Sequence, residues 1–159
     1  LGAMSPLLAA RLARADSIEP ATRVVVRKSE RRLYLYDHRD QIGSYRVSLG
    51  LNPDGHKERE GDFRTPEGRY YLSRRNPRSE FFLSIQISYP NRDDMRRAQR
   101  HGWQPGGSVM IHGLPNVPRH PIDYYLQNDW TNGCIALSNA DVLEVWMRTQ
   151  DEIPIDISP

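Results

Sequence analysis

From Arg23 onward the chain is a succession of short apolar runs separated by polar turns. Val24-Val25-Val26, Leu33-Tyr34-Leu35-Tyr36 and Ile42 to Leu49 are rich in β-branched and aromatic residues. The polar stretches Lys28 to Glu30 and Asp37 to Gln41 between them have hairpin length. Arg69 to Ser73, Phe81 to Ser88, Ser108 to His112 and Ile153 to Ile157 predict further strands. Helical patterns cover Asp93 to Arg100, starting near Asn91, then Ile122 to Gln127 and Asn139 to Thr149. The last is the clearest: Ser138 or Asn139 can cap it, Asp141 lies in its first turn, and Val142, Leu143, Val145 and Trp146 form its apolar face. Leu114 to Pro121 reads as irregular, and Thr131 to Leu137 as a turn entering a strand or helix. Asn52 to Gly68 holds Pro53, Gly55, Gly61, Pro66 and Gly68, so it is loop, and loops of that length in a compact domain are usually functional or mobile. The pattern predicts a mainly β domain, a sandwich or barrel of short strands with a few peripheral helices.

Residues 1–22 are expected to lie outside that domain. Leu1-Gly2-Ala3-Met4 reads as an expression remnant, and Leu7, Leu8 and Leu12 at helical spacing before Asp16, Ser17 and Pro20 suggest a short helix or linker. At 159 residues the chain fits one domain, 23–159, with enough length to bury a core. No apolar run approaches the roughly 20 residues of a membrane-spanning helix. The net charge of +2 is too small to signal a polyanion partner. Arg92, Arg96, Arg97 and Arg100 are interrupted by Asp93 and Asp94, and with Tyr89 and Trp103 they make no nucleic-acid module. That set reads as a solvated helix face, a nucleic-acid partner is not expected, and the domain is expected to be a monomer.

One cysteine excludes an intrachain disulfide and isolates one thiol, Cys134. A free cysteine is often only a small buried hydrophobe. To act as a nucleophile it must ionise, and an unperturbed thiol is only about 3% thiolate at pH 7, so a base must stand beside it. Of the five histidines, His112 is the best placed, ending the apolar run Val109-Met110-Ile111 and followed by Gly113. His38, His56, His101 and His120 lie in polar surroundings and read as exposed loop residues. Cys134, His112 and His120 also leave open a zinc site, without the compact ligand spacing that usually marks one.

The run Thr131-Asn132-Gly133-Cys134-Ile135, preceded by His112, resembles the L,D-transpeptidase catalytic domain, also called the YkuD domain. That domain is marked by a histidine and then Ser/Thr-His-Gly-Cys. Arg32 to Tyr36, Tyr45 to Gly50 and Gly61-Asp62-Phe63-Arg64-Thr65-Pro66-Glu67-Gly68 are similar to its opening hairpins and its Thr-Pro-Glu-Gly loop. The resemblance spans residues 23 to 158. Asn132 stands in place of the family's second histidine, marking a Thr-Asn-Gly-Cys subfamily, and Leu114 to Trp130 enlarges the usual interval between His112 and Cys134.

The resemblance implies a cysteine acyltransferase of the bacterial cell envelope or periplasm, acting on peptidoglycan stem peptides without a metal or organic cofactor. Cys134 would attack the carbonyl between diaminopimelate and D-alanine, with His112 as base, oriented through the Gly113 carbonyl. The backbone N–H groups of Gly133 and Cys134 would hold the oxyanion, and an amine would resolve the thioester. Asn132, Thr131, Trp130, Arg64 and Tyr89 are the expected substrate contacts. Transfer to water or to a lipoprotein lysine, or a non-catalytic peptidoglycan-binding module, are the rival readings.

Overall fold

A computed structural model describes residues 18–159; the helix or linker expected from Leu7 to Leu12 lies outside them. Eight strands form one sheet in the order β3-β2-β1-β8-β4-β5-β6-β7. They are β1 (Arg23–Arg27), β2 (Arg32–Asp37), β3 (Asp40–Arg46), β4 (Gly68–Ser79), β5 (Phe82–Ile87), β6 (Met110–His112), β7 (Ile135–Ala136) and β8 (Pro154–Ser158). Three helices accompany them among the described residues: α1 (Arg92–Arg100), α2 (Ile122–Gln127) and α3 (Asn139–Arg148). The fold is mainly β, as the sequence pattern predicts.

The two-residue period of the strands builds the core. Val24 faces Leu35 and Val26 faces Leu33 across the antiparallel β1–β2 pair, while the same valines sit beside Ile155 and Ile157 of the parallel β8. All but Ile157, which keeps 4% of its surface, are sealed from solvent. Each such side chain contributes about 1.5–3 kcal/mol. The core continues through Ile87, Ile85, Ile111 and Ile135 on β5, β6 and β7. The outer edges then meet: Ser48, just beyond β3, exchanges two backbone hydrogen bonds with Ala136 of β7, each 2.8 Å, and Gly50 bridges to Thr131. The sheet thereby curls back on itself.

Strand bounds differ from the sequence expectation at three places, the first being β3, expected over Ile42 to Leu49 and found at Asp40–Arg46. β4 runs on from Ser73 to Ser79 although its second half is polar, because backbone pairing with β5 carries it. Pro77, which lacks an N–H, falls in the register irregularity between Asn76 and Ser79. β6 begins at Met110 rather than Ser108, whose φ of 53° breaks the extended backbone.

The helices follow their caps. Asn91 and Asp94 form a capping box at α1, and Ser138 accepts from the Asp141 N–H at α3. Val142 and Val145 of α3 are fully buried in the same core.

The loop 51–67 is tied down from several sides. Lys28, 3% exposed, donates to the carbonyls of Gly55 (2.7 Å) and Thr65 (3.0 Å) and to Glu67 (2.9 Å). His56 Nδ1 accepts from the Glu67 N–H, and its Nε2 donates to Asp94 of α1 at 2.8 Å. His56 is therefore a partly buried strut, not the exposed loop histidine its neighbours in sequence suggest. A long polar loop is thereby fastened to the end of β1 and to α1.

Candidate active site

The turn before β7 is held in one conformation by its own side chains. Thr131, N-bonded to the Leu49 carbonyl (3.1 Å), accepts the Gly133 N–H on its hydroxyl (3.1 Å) and donates that hydroxyl to the Cys134 carbonyl (2.7 Å). Gly133 adopts φ +134°, and a Cβ there would fall 2.6 Å from the Arg64 carbonyl oxygen. Only glycine suits both demands. Cys134 emerges half-buried, its Sγ 3.6 Å from the Ser108 carbonyl. It opens into a cavity of about 510 Å³ whose lining includes Lys57, Phe63, Phe81, Trp130 and Asn132.

His112 lies at the end of β6, 3% exposed, paired with Ala136 of β7. Ile111 and Ile135, opposite each other, point into the core, so the alternation turns His112 and Cys134 toward the other face at diagonal positions. The ring stacks on Phe81, centroids 4.4 Å apart, and meets the edge of Trp130 at 5.6 Å. Nδ1 lies 2.7 Å from the Gly113 carbonyl oxygen. A carbonyl can only accept, so Nδ1 carries the proton and Nε2 keeps a free lone pair. Gly113 is itself wedged: its N–H donates to the Phe81 carbonyl, and a Cβ would fall 2.6 Å from Asn139 Oδ1 and 2.9 Å from that same carbonyl.

Burial sets the protonation of both groups. It pushes the His112 pKa down to about 4, against the opposing hydrogen bond to Gly113. Burial also pushes the Cys134 thiol up, opposed by a hydrogen bond from the Met110 backbone and by the nearby charge of Lys57. Near neutral pH the site therefore holds a neutral thiol and a neutral imidazole. A pair in that state does not rest as a thiolate–imidazolium ion pair.

The remaining expected contacts separate. Trp130 is a cavity wall, its indole N–H fixed on the Tyr125 carbonyl (3.1 Å), and Asn132 lies exposed at the mouth. Thr131 is buried beneath the turn and shapes it. Tyr89 lies elsewhere: it is 3% exposed, in the core against Tyr70 and His56, with its hydroxyl on the Pro105 carbonyl (2.7 Å). The Arg64 side chain turns to Glu58, and its backbone carbonyl is the part that meets the Gly133 turn. The Gly133 N–H, expected to hold an oxyanion, is engaged by the Thr131 hydroxyl. His120 lies against Tyr124, and no three side chains of metal-binding type come together among the described residues. No helix among them is long and apolar enough to cross a membrane. Phe81 and Lys57 were not legible as site residues: one lies in a strand pattern, the other in a run of mixed charge.

A curled, mainly β domain with one thiol on a glycine turn and a buried histidine at the end of the adjacent strand defines the class to which this chain belongs. The chain belongs to the YkuD family, the L,D-transpeptidase catalytic domain, whose model matches residues 21–157. It is 32% identical over 128 residues to YafK of Escherichia coli, covering 75% of this chain and 43% of that protein. Among solved structures it is similar to the helical cell shape determining protein Pgp2 of Campylobacter jejuni, with 26% identity and a TM-score of 0.63 over 86% of this chain and 46% of Pgp2. An L,D-transpeptidase of Mycobacterium smegmatis shares the fold at 12% identity and a TM-score of 0.56, over 86% of this chain and 58% of that one. The chain thus spans less than half the length of YafK and of Pgp2.

Proposed function

We propose that this domain is a cysteine acyltransferase acting on peptidoglycan stem peptides in the cell envelope. Sγ of Cys134 attacks the carbonyl of the diaminopimelate–D-alanine bond while His112 Nε2 takes the thiol proton. The tetrahedral oxyanion is met by the Cys134 N–H, and His112 returns the proton to the departing D-alanine amine. An amine then attacks the thioester, restoring the thiol. The observation that carries this reading is a buried imidazole whose Nδ1 is locked on Gly113, leaving Nε2 basic on the face it shares with Cys134. An amine acceptor is favoured over water by the space beyond the Phe81–Trp130 wall. A second hollow of about 670 Å³, lined by Asn116, Arg119, His120 and Tyr124, shares those two side chains with the thiol cavity and has room for a second stem. Incubation with purified muropeptides, read by mass, tests the reading: cross-linked products support it, whereas trimmed stems alone would assign the acceptor to water.

Two expectations arise at this site. Protonating Nε2 removes the base, and burial has moved that event down to about pH 4. The acylation rate should therefore hold its plateau from pH 7 to below pH 6, with its acid limb under the ordinary histidine range. A rate profile that falls with a midpoint near 6.5 would contradict the buried-base assignment. The second concerns Asn132, whose exposed side chain has no hydrogen-bond partner in the protein among the described residues. Asn132→Ala should leave thermal stability unchanged and slow acylation by about 3- to 10-fold, the worth of one hydrogen bond to substrate. Asn132→His should still acylate. Mass spectrometry after exposure to a stem tetrapeptide or imipenem reads both, and a wild-type protein that never acylates beside an active Asn132→His variant would favour the non-catalytic module.

A further inference from the structure

Two lysines of this domain are buried at the 51–67 loop, and they are used differently. Lys28 spends all three ammonium protons on Gly55, Thr65 and Glu67, so its role is to fasten the loop. Lys57, 4% exposed, donates among the described residues to only two acceptors, the Arg59 carbonyl (3.2 Å) and Asp62 Oδ1 (2.8 Å). Lys57 lines the thiol cavity, and its Nζ would lie 3.7 Å from a Cβ placed on Gly133, the residue preceding Cys134. A third ammonium proton therefore remains for the cavity. A buried cation is normally surrounded by partners, and one left short beside a site where negative charge develops has an electrostatic use.

We propose that Lys57 is a positioning residue that sets a positive charge beside the Gly133–Cys134 turn, favouring negative charge on the sulfur and on the adjacent oxyanion. The inference rests on the reading of Cys134 as nucleophile. Asp62 does not cancel this charge completely, because its carboxylate also receives the N–H groups of Glu58 (2.8 Å), Arg59 (3.1 Å) and Arg64 (3.1 Å). Burial works against the Asp62 anion, but Lys57 and those amides together hold its carboxyl below the usual range. Besides Cys134 and Lys57, Glu60 on the same loop is the titratable group lining the cavity, while Arg64 is turned away toward Glu58 and His112 is buried at the end of β6. The Lys57 charge draws the Cys134 thiol down against its burial.

Alkylation of Cys134 in the intact protein tests this without any peptide substrate. In the wild type, the rate ratio of anionic iodoacetate to neutral iodoacetamide should exceed that of N-acetylcysteinamide by about threefold or more, since a nearby cation draws in the anion. A ratio equal to or below that reference overturns the proposal even if every variant fails to fold. Lys57→Met should slow iodoacetamide alkylation at pH 7 by about tenfold, the effect of losing one neighbouring opposite charge, and shift the pH profile upward. Lys57→Arg should stay within about threefold of wild type, and Asp62→Asn, which frees the lysine charge, should speed the reaction. Equal losses in the Met and Arg variants, or losses in both Lys57→Met and Asp62→Asn, would assign Lys57 a purely structural role. Acylation by a stem tetrapeptide is scored separately. A thiol that passes these tests but never acylates removes the acyl-transfer reading and keeps the lysine's, while acylation with a reference-like ratio does the reverse.

Discussion

Cys134→Ala should leave no detectable acyl-enzyme and reduce turnover of stem peptides by at least about 10⁴-fold, because the covalent route disappears with the sulfur. The fold should survive. The Cys134 side chain is half-buried at a cavity floor, and its hydrogen bond to the Ser108 carbonyl is a long 3.6 Å, so little packing is lost. A melting temperature within a few degrees of wild type, beside absent acylation by intact-mass measurement, is the expected pair of results. Processing of muropeptides by a folded Cys134→Ala protein would end the acyl-transfer reading.

Gly133→Ala carries the second largest expected effect, and by a different route. The added methyl group would stand 2.6 Å from the Arg64 carbonyl oxygen, a backbone atom that cannot swing away, in a φ of +134° that alanine resists. The turn must move. Strain of this kind costs about 1–3 kcal/mol, so the variant should melt several degrees lower. The larger loss falls on rate: displacement of the Cys134 N–H and Sγ by a fraction of an ångström should lower acylation by about 10²- to 10³-fold. Alkylation of the thiol by a small reagent should fall far less, because it needs no aligned oxyanion donor. Comparing the two rates in one protein checks the account, and equal losses in both would mean the turn has collapsed instead of shifted.

Cys134 and His112 could be singled out as a candidate pair because both residues carry local markers. Cys134 follows a glycine in a polar turn, and His112 ends a run of apolar residues before another glycine. Helix α3 was legible for the same kind of reason: Ser138, Asp141, Val142 and Val145 specify cap, dipole and buried face within one short segment. Lys28, Lys57 and His56 were not legible. Each lies in a polar run indistinguishable from solvated loop, and each acts through partners distant in sequence: Glu67 for Lys28 and Asp94 for His56, while Lys57 meets the Gly133 turn.

Tyr89 and Arg64 show the limit from the other side. Residue type made both plausible substrate contacts, but an aromatic ring gains more by burial against Tyr70 than by facing a cavity, and Arg64 contributes its carbonyl to the turn instead of its guanidinium. The same holds for the Gly133 N–H, since nothing in Thr131-Asn132-Gly133-Cys134 announces that the Thr131 hydroxyl takes it. By itself the sequence determined the period-two strands and the capped helices and singled out Cys134 and His112 as candidates, because those readings depend on neighbours within a few residues. Only the tertiary structure decided which N–H stays free, which nitrogen of His112 is basic and which loop cation reaches the cavity. These depend on the curl that brings Ser48 to Ala136 and on the 51–67 loop meeting the Gly133–Cys134 turn.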